Sequence, residues 1–218
     1  IKTLLANGAV VVEAGQVTYN PDSALVDVPK TLRGLVSARV KRLPADQKGL
    51  LQRAAVMGQR FNVTLLGRVT GVPLADLKPM LFGLKEIGLL NRISASEFSF
   101  ASDLVRAIVY QGIVLSDRRE IHTSIATAIE STFSDRIDEF VERLAVHYRE
   151  GGDRNKAVEY LIRAGEKVAS DYSHRSALDY YLKALDLLHN VPHPDTKRIL
   201  SLYLPIGALT VKTNMIAM

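Results

Sequence analysis

Histidines are the side chains of this 218-residue chain best suited to metal or acid–base chemistry. There are five of them: His122, His147, His174, His189 and His193. His189 and His193 are four residues apart with Asp195 nearby, a spacing that superficially fits a metal site. Pro192 breaks the helix that would align these two imidazoles, and the other three have no companions at ligand spacing. We therefore expect capping, buried or solvated histidines, and no bound metal.

The motifs that usually carry catalysis do not occur in the sequence. There is no G-x-x-x-x-G-K-[ST] loop to cradle ATP phosphates, no G-x-G-x-x-G, no G-x-S-x-G elbow and no H-E-x-x-H pair. Asp138, Glu139 and Glu142 lie opposite Val141 and Leu144 on a helix, where solvated carboxylates are the default. We predict no catalytic, cofactor-binding or metal-binding residue, so this chain alone is not expected to be an enzyme.

Basic residues are concentrated between residues 30 and 60, where eight Lys and Arg face one carboxylate, Asp46. The whole chain carries a net charge of +5. Since residues three and four apart are neighbours on a helix, a row of polar residues is predicted to point outward. This row, the docking face, consists of Lys30, Arg33, Ser37 and Lys41. The opposite, inner side is predicted to hold Leu32, Leu35, Val36, Val40 and Leu43. The row could contact an acidic protein surface, bind DNA phosphates or be a plain solvated face.

Local patterns in the first hundred residues predict a hairpin, several helices and two further strands. Residues 9–13 and 16–19, rich in β-branched side chains, flank Ala14-Gly15 and predict the hairpin, which closes at Asn20-Pro21-Asp22. Helical spacing follows in four segments, with predicted boundaries at Pro29, Pro44, Gly58, Asn62, Gly71, Pro73 and Gly88. Residues 89–93 and 97–100 predict strands, and Pro79 is expected to kink or fray its helix. Three helices and a hairpin indicate a winged-helix domain over residues 29–101.

A DNA-binding winged-helix regulator is the alternative function. Its recognition helix would be residues 74–87, which offer Asp76 and Glu86 against Lys78 and Lys85. That helix has no Arg, Asn or Gln to read a base edge. We therefore rank DNA binding below docking to a protein.

The second half of the chain is predicted to be helical and repetitive. Ser102 can cap the first of the connecting helices over residues 102–135, and Ser116 or Asp117 can start the second. Residues 157–164 match residues 177–184 at an offset of 20, with Ala at both ends of each block. A preceding helix carries Ile137, Val141, Leu144, Ala145 and Tyr148. Small residues at close helix contacts predict antiparallel helical hairpins of tetratricopeptide type over residues 136–218. The fold class is thus mainly α.

Composition places the chain in a reducing compartment. It has no Cys, and its longest apolar run is far shorter than the roughly 20 residues of a membrane span. No signal peptide opens it, so we expect a soluble, cytoplasmic protein without membrane contact. The absent initiator Met and the apolar last residues indicate a segment cut from a larger protein, in which the repeats continue.

Several blocks of the sequence resemble one known segment: residues 28–44, 50–61, 88–90, 98–110 and 118–122, followed by the helical run of residues 144–188. The first five blocks are similar to the segment after the AAA-type core of the bacterial signal-transduction ATPases with numerous domains (STAND ATPases), and residues 144–188 are similar to the tetratricopeptide-like array of that family. Ser102 stands where the family usually has His, so that residue's nucleotide-sensing role does not transfer. Pro79 departs from the usual Ala/Glu-rich helix.

This resemblance implies a regulatory, protein-interacting segment of a larger signalling ATPase. Residues 1–28 would be a β-hairpin remnant of the preceding ATPase module. ATP and Mg would belong to the parent, whose output domain would be a LuxR-type activator, a nucleotide cyclase such as an adenylate cyclase, or a Ser/Thr kinase. The partners implied are the ATPase core and output domain of the same parent chain, with a regulatory protein or small inducer on the repeats.

Overall fold

The computed structural model describes residues 10–13, 16–19, 30–190 and 195–216, and the side chains of residues 33–190 and 195–211. The chain is mainly helical, with a small antiparallel sheet of three strands and a separate two-stranded hairpin. The predicted mainly α fold class is confirmed. The chain divides into two compact units, residues 1–118 and 119–218. This boundary falls inside the segment predicted as connecting helices, residues 102–135.

The first unit begins with the predicted hairpin, in which β1 (Val10–Glu13) pairs antiparallel with β2 (Gln16–Tyr19). Its turn and the predicted stop at residues 20–22 lie outside the described residues. The elements that follow are α1 (Lys30–Lys41), α2 (Ala45–Met57), β3 (Arg60–Asn62), α3 (Val63–Thr70), α4 (Leu74–Glu86), β4 (Leu90–Arg92), β5 (Glu97–Phe100), α5 (Asp103–Gln111) and the first turn of α6 (Leu115–Thr132).

Helix boundaries in this unit follow the predicted caps. The Asn62 side chain accepts hydrogen bonds from the backbone N–H groups of Thr64 and Leu65, at 2.9 and 3.1 Å. Gly71 ends α3 in the left-handed conformation, with φ of 71°. These contacts satisfy backbone groups that have no helical partner, which is why the helix begins and ends there.

Two features of the first unit differ from expectation. Strand β3 was not predicted, because three residues are too few to show alternation; it pairs Phe61 with Phe98 of β5, and both rings are buried in the core. The sheet order is β3-β5-β4.

Helix α4 runs unbroken through Pro79. Pro79 and Ala75, whose carbonyl loses its helical donor, are both exposed, so water can satisfy that carbonyl.

The second unit contains the rest of α6, a 3-10 turn (Ser134–Glu139), α7 (Val141–Gly151), α8 (Arg154–Ser170), α9 (His174–His189) and α10 (Thr196–Ile216). Helix α8 packs against both α7 and α9, and α10 packs against α9. Ile137 lies in the 3-10 turn rather than on a helical stripe, which corrects the sequence prediction. The Phe133 and Phe140 rings stack across this turn, with their centres 4.4 Å apart.

Small residues line the helix contacts of the second unit, as predicted. Ala157, Ala164, Ala177 and Ala184 are fully buried. At Gly165 an added Cβ would lie 2.9 Å from the Tyr181 ring, so α8 and α9 approach as closely as a missing side chain permits. Among the described residues no helix combines the length and apolarity that crossing a bilayer would need.

Candidate functional site

The predicted docking face lies beside α5, at the edge of the packed side of α1. The Arg33 guanidinium Nη2 donates to the Gln111 side-chain oxygen at 2.9 Å, and Arg33 and Ser37 are half-buried. Lys41, one turn further along, is exposed. The Lys30 side chain lies outside the described residues. The row therefore does not point uniformly into solvent as the sequence predicted.

A shallow groove of about 460 Å³ runs between α1 and α5 at this position. It is lined by Arg33, Gly34, Ser37, Ile108, Gln111 and Gly112. The lining contains one cation and no carboxylate, and its polar groups include a guanidinium, a hydroxyl and an amide, all able to donate. Such a groove can hold the carboxylate or carbonyl groups of a bound segment.

The inner side of α1 is narrower than predicted. Val36 and Val40 are buried, but Leu35, which was assigned to the same side, is 64% exposed. Neighbouring helical residues point about 100° apart, so a buried stripe centred on Val36 and Val40 leaves Leu35 outside. Leu35 thus joins the solvent side of α1, which corrects the sequence prediction.

Some cations of the basic segment bind the protein's own backbone. Arg39 Nη1 donates to the carbonyl of Ile87 at 3.1 Å, just beyond the last residue of α4. Arg53 Nη1 donates to the carbonyl of Gly49 at 3.2 Å within α2. A cation at a helix C-terminus satisfies a free carbonyl and interacts favourably with the helix dipole. Part of the positive charge therefore holds the first unit together, a role the sequence analysis did not consider.

The outward side of α4, the candidate recognition helix, is mixed rather than basic. Lys78 is exposed, but Lys85 is paired with Glu86 at 2.9 Å. The Phe82 ring is 38% exposed, and the Arg92 guanidinium of β4 lies 5.6 Å from its centre. A base-reading surface would need unengaged Arg, Asn or Gln side chains at these positions.

In the second unit the structure brings together two histidines that the sequence analysis had treated as solitary. His122 of α6 and His147 of α7 are each 4% exposed, and their Nδ1 atoms are 3.0 Å apart. At this distance the Nδ1 of one ring donates a hydrogen bond to the Nδ1 of the other, so only one of these two nitrogen atoms carries the shared proton. Burial, the His122 ring and Arg143 together lower the pKa of His147 to about 3.

A second polar cluster joins α6, α7 and α8 around the Glu130 carboxylate. Glu130 accepts hydrogen bonds from the Tyr148 hydroxyl at 2.5 Å, the Tyr160 hydroxyl at 2.6 Å and the Lys156 ammonium at 2.6 Å. The two tyrosine rings stack at 5.6 Å, and Lys156 lies 4.7 Å from the Tyr148 ring centre. Three helices are thereby held at one carboxylate.

The pKa shifts in this cluster follow from its contacts. Burial alone would raise the pKa of Glu130, but the bonds from Lys156, Tyr148 and Tyr160 hold it below its usual value. The hydrogen bond to Glu130 raises the pKa of Lys156. Burial, and then the Glu130 carboxylate, raise the pKa of Tyr160. The charged pair is therefore kept ionised at neutral pH, and the cluster acts as a structural clamp between helices.

No metal-binding group of three or more His, Asp or Glu side chains forms within the described part of the chain. His189 is exposed at the end of α9, and His193 lies outside the described residues. A signal for the buried pair was present in the sequence, since His122 shares a helical stripe with Ala126 and Ile129, and His147 one with Leu144. Nothing in it indicated that the two stripes meet.

Comparison of the chain with family models, with curated proteins and with solved structures found no match.

Proposed function

We propose that this chain is a non-catalytic regulatory and protein-interaction segment of a bacterial multidomain signalling ATPase of STAND type. It would couple the parent's nucleotide switch to an output domain, whether a transcription activator, a nucleotide cyclase or a Ser/Thr kinase. The observation that carries the proposal is the order of structural units: a small helix-and-sheet unit is followed by close-packed helices, as the resemblance implies.

The first unit supports a winged-helix domain. Elements α2, β3, α3, α4, β4 and β5 follow one another in the chain, and the sheet order β3-β5-β4 places the last strand in the middle. Helices α3 and α4 are joined by a short turn at Gly71, and β4 and β5 form the hairpin that would be the wing. This succession is that of a helix-turn-helix followed by a β-hairpin.

The second unit supports stacked helical hairpins of tetratricopeptide type. Connections of two residues between α7 and α8, and of three between α8 and α9, return the chain alongside itself. The matching Ala positions at an offset of 20 residues are all buried at the contacts of α8 and α9. Arrays of this kind present extended surfaces to partner proteins or inducers.

The basic side chains contact groups of the protein itself, which favours protein docking over specific DNA binding. Arg33 and Arg39 engage Gln111 and the Ile87 carbonyl, and Lys85 engages Glu86. Specific DNA binding needs such side chains directed at phosphates and base edges. The Ser37 hydroxyl and the Gln111 amide nitrogen, which line the α1–α5 groove, instead offer donors to a short acidic segment of the parent's ATPase core or output domain.

A charge reversal at Lys41 tests the docking role. Lys41 is exposed and lies on the predicted face, so Lys41→Glu should leave this chain folded while it changes nucleotide turnover or output activity of the full-length parent. Lys48→Glu is the matched control, because Lys48 is also exposed, lies on α2 and carries the same charge. Equal nucleotide turnover and output activity of the parent, the variant and the control would show that the docking face is only solvated surface. Loss of binding to a specific DNA duplex would favour the alternative function.

We further expect this chain to bind no ATP with useful affinity, because the phosphate-cradling loop is missing from its sequence. Calorimetry with Mg-ATP should give no measurable heat of binding. Tight, Mg-dependent binding would contradict the assignment of nucleotide chemistry to the rest of the parent.

A further inference from the structure

The buried histidine pair lies at a close contact between α6 and α7. His122 and His147 are each 4% exposed, and within the described part of the chain no other His, Lys, Arg, Asp or Glu is buried. One residue after His122, the Thr123 Oγ1 atom is 2.5 Å from the position that a Cβ on Gly151 of α7 would take. The two helices therefore approach beside the rings as closely as a glycine permits, and this contact keeps the rings away from water.

The hydrogen bond between the rings depends on their state of protonation. When both rings are neutral, one Nδ1–H donates to the other Nδ1 at 3.0 Å. A first added proton leaves this bond in place but puts a positive charge on a buried ring, which is costly. A second proton gives both Nδ1 atoms a hydrogen, so two positive donors face each other and the bond is lost. Protonation therefore favours an arrangement in which α6 and α7 separate and water reaches the rings.

The charged residues one helical turn from the rings are mainly basic. They are Arg118 and Arg119 of α6, and Arg143 and Glu150 of α7. The Glu150 carboxylate is engaged by Arg149 at 2.9 Å. Burial, and then the His122 ring and Arg143, lower the pKa of His147 to about 3. The closed contact thus disfavours an added proton for both solvation and charge.

Helix α8, which also packs against α7, directs its cations to other carboxylates. Lys156 pairs with Glu130 at 2.6 Å, and Lys167 pairs with Glu142 at 3.0 Å. The pKa of Glu130 lies below its usual value of 4.5, so this carboxylate stays ionised at about pH 5 and the Glu130 cluster remains closed. Mild acid therefore acts on the histidine pair before it acts on the cluster at the other end of α6.

The contact between α8 and α9 contains no comparable group among the described residues. It consists of small buried side chains and of Gly165 against the Tyr181 ring. The small residues are Ala157, Ala164, Ala177 and Ala184. Burial raises the pKa of Tyr181, so that ring stays neutral in acid. Mild acid therefore leaves this contact unchanged while it weakens the contact of α6 with α7.

We propose that the His122–His147 contact is an acid-sensitive lock, which holds α6 on α7 near neutral pH and opens locally at about pH 5. Opening separates the two helices at the histidines and exposes the surface of α7 that Thr123 covers at Gly151. The hairpin of α8 and α9 stays packed. The proposal is independent of the ATPase assignment, because it depends only on the contacts of α6 and α7.

Hydrogen–deuterium exchange of the whole chain at about pH 7 and about pH 5 tests the lock, once rates are corrected for the intrinsic effect of pH. A helix without tertiary contacts is only marginally stable, so opening should expose the α6 amides to exchange. His147 binds a proton near its ordinary pKa of 6.5 once the contact is open, which makes opening about 25-fold more favourable at the lower pH. The amides of residues 121–129 should lose protection by about that factor.

Urea distinguishes local opening from unfolding of the whole unit. Local opening exposes little surface, so exchange in α6 at about pH 5 should be insensitive to low urea concentrations. Exchange in α9, at residues 177–188, should accelerate with urea, because those amides exchange only when the unit unfolds. Equal urea dependence in α6 and α9 would show that α6 leaves α7 only on unfolding, and would overturn the proposal.

Histidine variants assign the pH dependence. The double variant His122→Leu/His147→Leu replaces both polar partners by apolar side chains and should keep α6 protection constant between the two pH values. His189→Asn, at an exposed helix end, is the control and should behave as wild type. Circular dichroism checks folding, and His147→Asn, which keeps a neutral hydrogen-bonding side chain, replaces the double variant should that variant lose helicity. Wild-type protection that does not change with pH, or a pH dependence that persists in the folded histidine variants, would refute the lock.

Discussion

The buried histidine pair predicts that the second unit loses stability as the pH falls below about 6.5. Burial, then His122 and Arg143, lower the pKa of His147 from 6.5 to about 3. In the unfolded chain the same ring takes up its proton near its ordinary pKa. Between these two pKa values His147 binds a proton in the unfolded state but not in the folded state. The contribution of His147 to the free energy of unfolding is therefore complete above pH 6.5 and is lost progressively as the pH falls toward about 3.

The size of this loss follows from the shift. In that pH range the unfolded chain binds one proton more than the folded chain at this residue, so the free energy of unfolding falls by about 1.4 kcal/mol for each pH unit. At about pH 4.5, two units below the ordinary pKa, His147 should therefore have removed about 3 kcal/mol of unfolding free energy. A typical domain is stable by only about 5–15 kcal/mol, so the effect is large enough to measure. Glu130, whose lowered pKa also favours the folded state, adds its own loss only below about pH 4.5.

Urea unfolding at about pH 7 and about pH 4.5 measures the effect. Tyrosine fluorescence is a suitable probe, because the chain has eight Tyr and no Trp, and most of the Tyr residues belong to the second unit. The double variant His122→Asn/His147→Asn removes both rings and should lose most of the pH dependence. His189→Asn, at an exposed helix end, should retain it. An unchanged pH dependence in the double variant would refute the argument.

Two further changes test the helix contacts of the second unit by thermal unfolding. Gly165→Ala should cost about 1–3 kcal/mol, because the new methyl group overlaps the Tyr181 ring, whereas Gly207→Ala, on an open face, should be neutral or stabilise by up to about 1 kcal/mol. Equal effects of these two substitutions would contradict the close contact. Glu130→Gln should cost about 1–3 kcal/mol, because Lys156 loses its charged partner; a melting temperature equal to wild type would show that the clamp contributes nothing.

Features set by local chemistry were predictable from sequence. Helix α3 begins at Asn62 because this side chain supplies a hydrogen-bond acceptor, and it ends at Gly71 because glycine tolerates a positive φ. Both are properties of a single residue. The buried Ala positions of α8 and α9 were likewise visible as a repeat. Strand β3 was missed because its existence depends on pairing with β5, 35 residues later in the case of Asn62 and Glu97. Such a contact leaves no periodicity in three residues.

The most distinctive groups of the second unit were not predictable for the same reason. His122 and His147 are separated by 25 residues and lie on different helices, so their meeting depends on how α6 and α7 pack. Each alone looks like an ordinary partly buried histidine. The Glu130 cluster likewise draws its members from three helices. Its ion pair and its two tyrosine hydroxyl donors come together only when these helices pack.

The number of basic residues in the segment 30–60 is larger than the number of cations available to a partner. Between residues 30 and 60 the sequence displays eight cations, yet Arg33, Arg39 and Arg53 each donate to a group of their own unit. A guanidinium favours such contacts because its fixed fork of donors can satisfy a carbonyl or an amide oxygen while its charge stays near water. The lysines have a flexible stem and one ammonium, and Lys41 and Lys48 remain exposed. Reversing Arg33 or Arg39 would therefore disturb the contacts of α1 with its neighbours as well as any docking, whereas reversing Lys41 or Lys48 changes the exposed surface. The Lys41 and Lys48 pair isolates docking from folding for that physical reason.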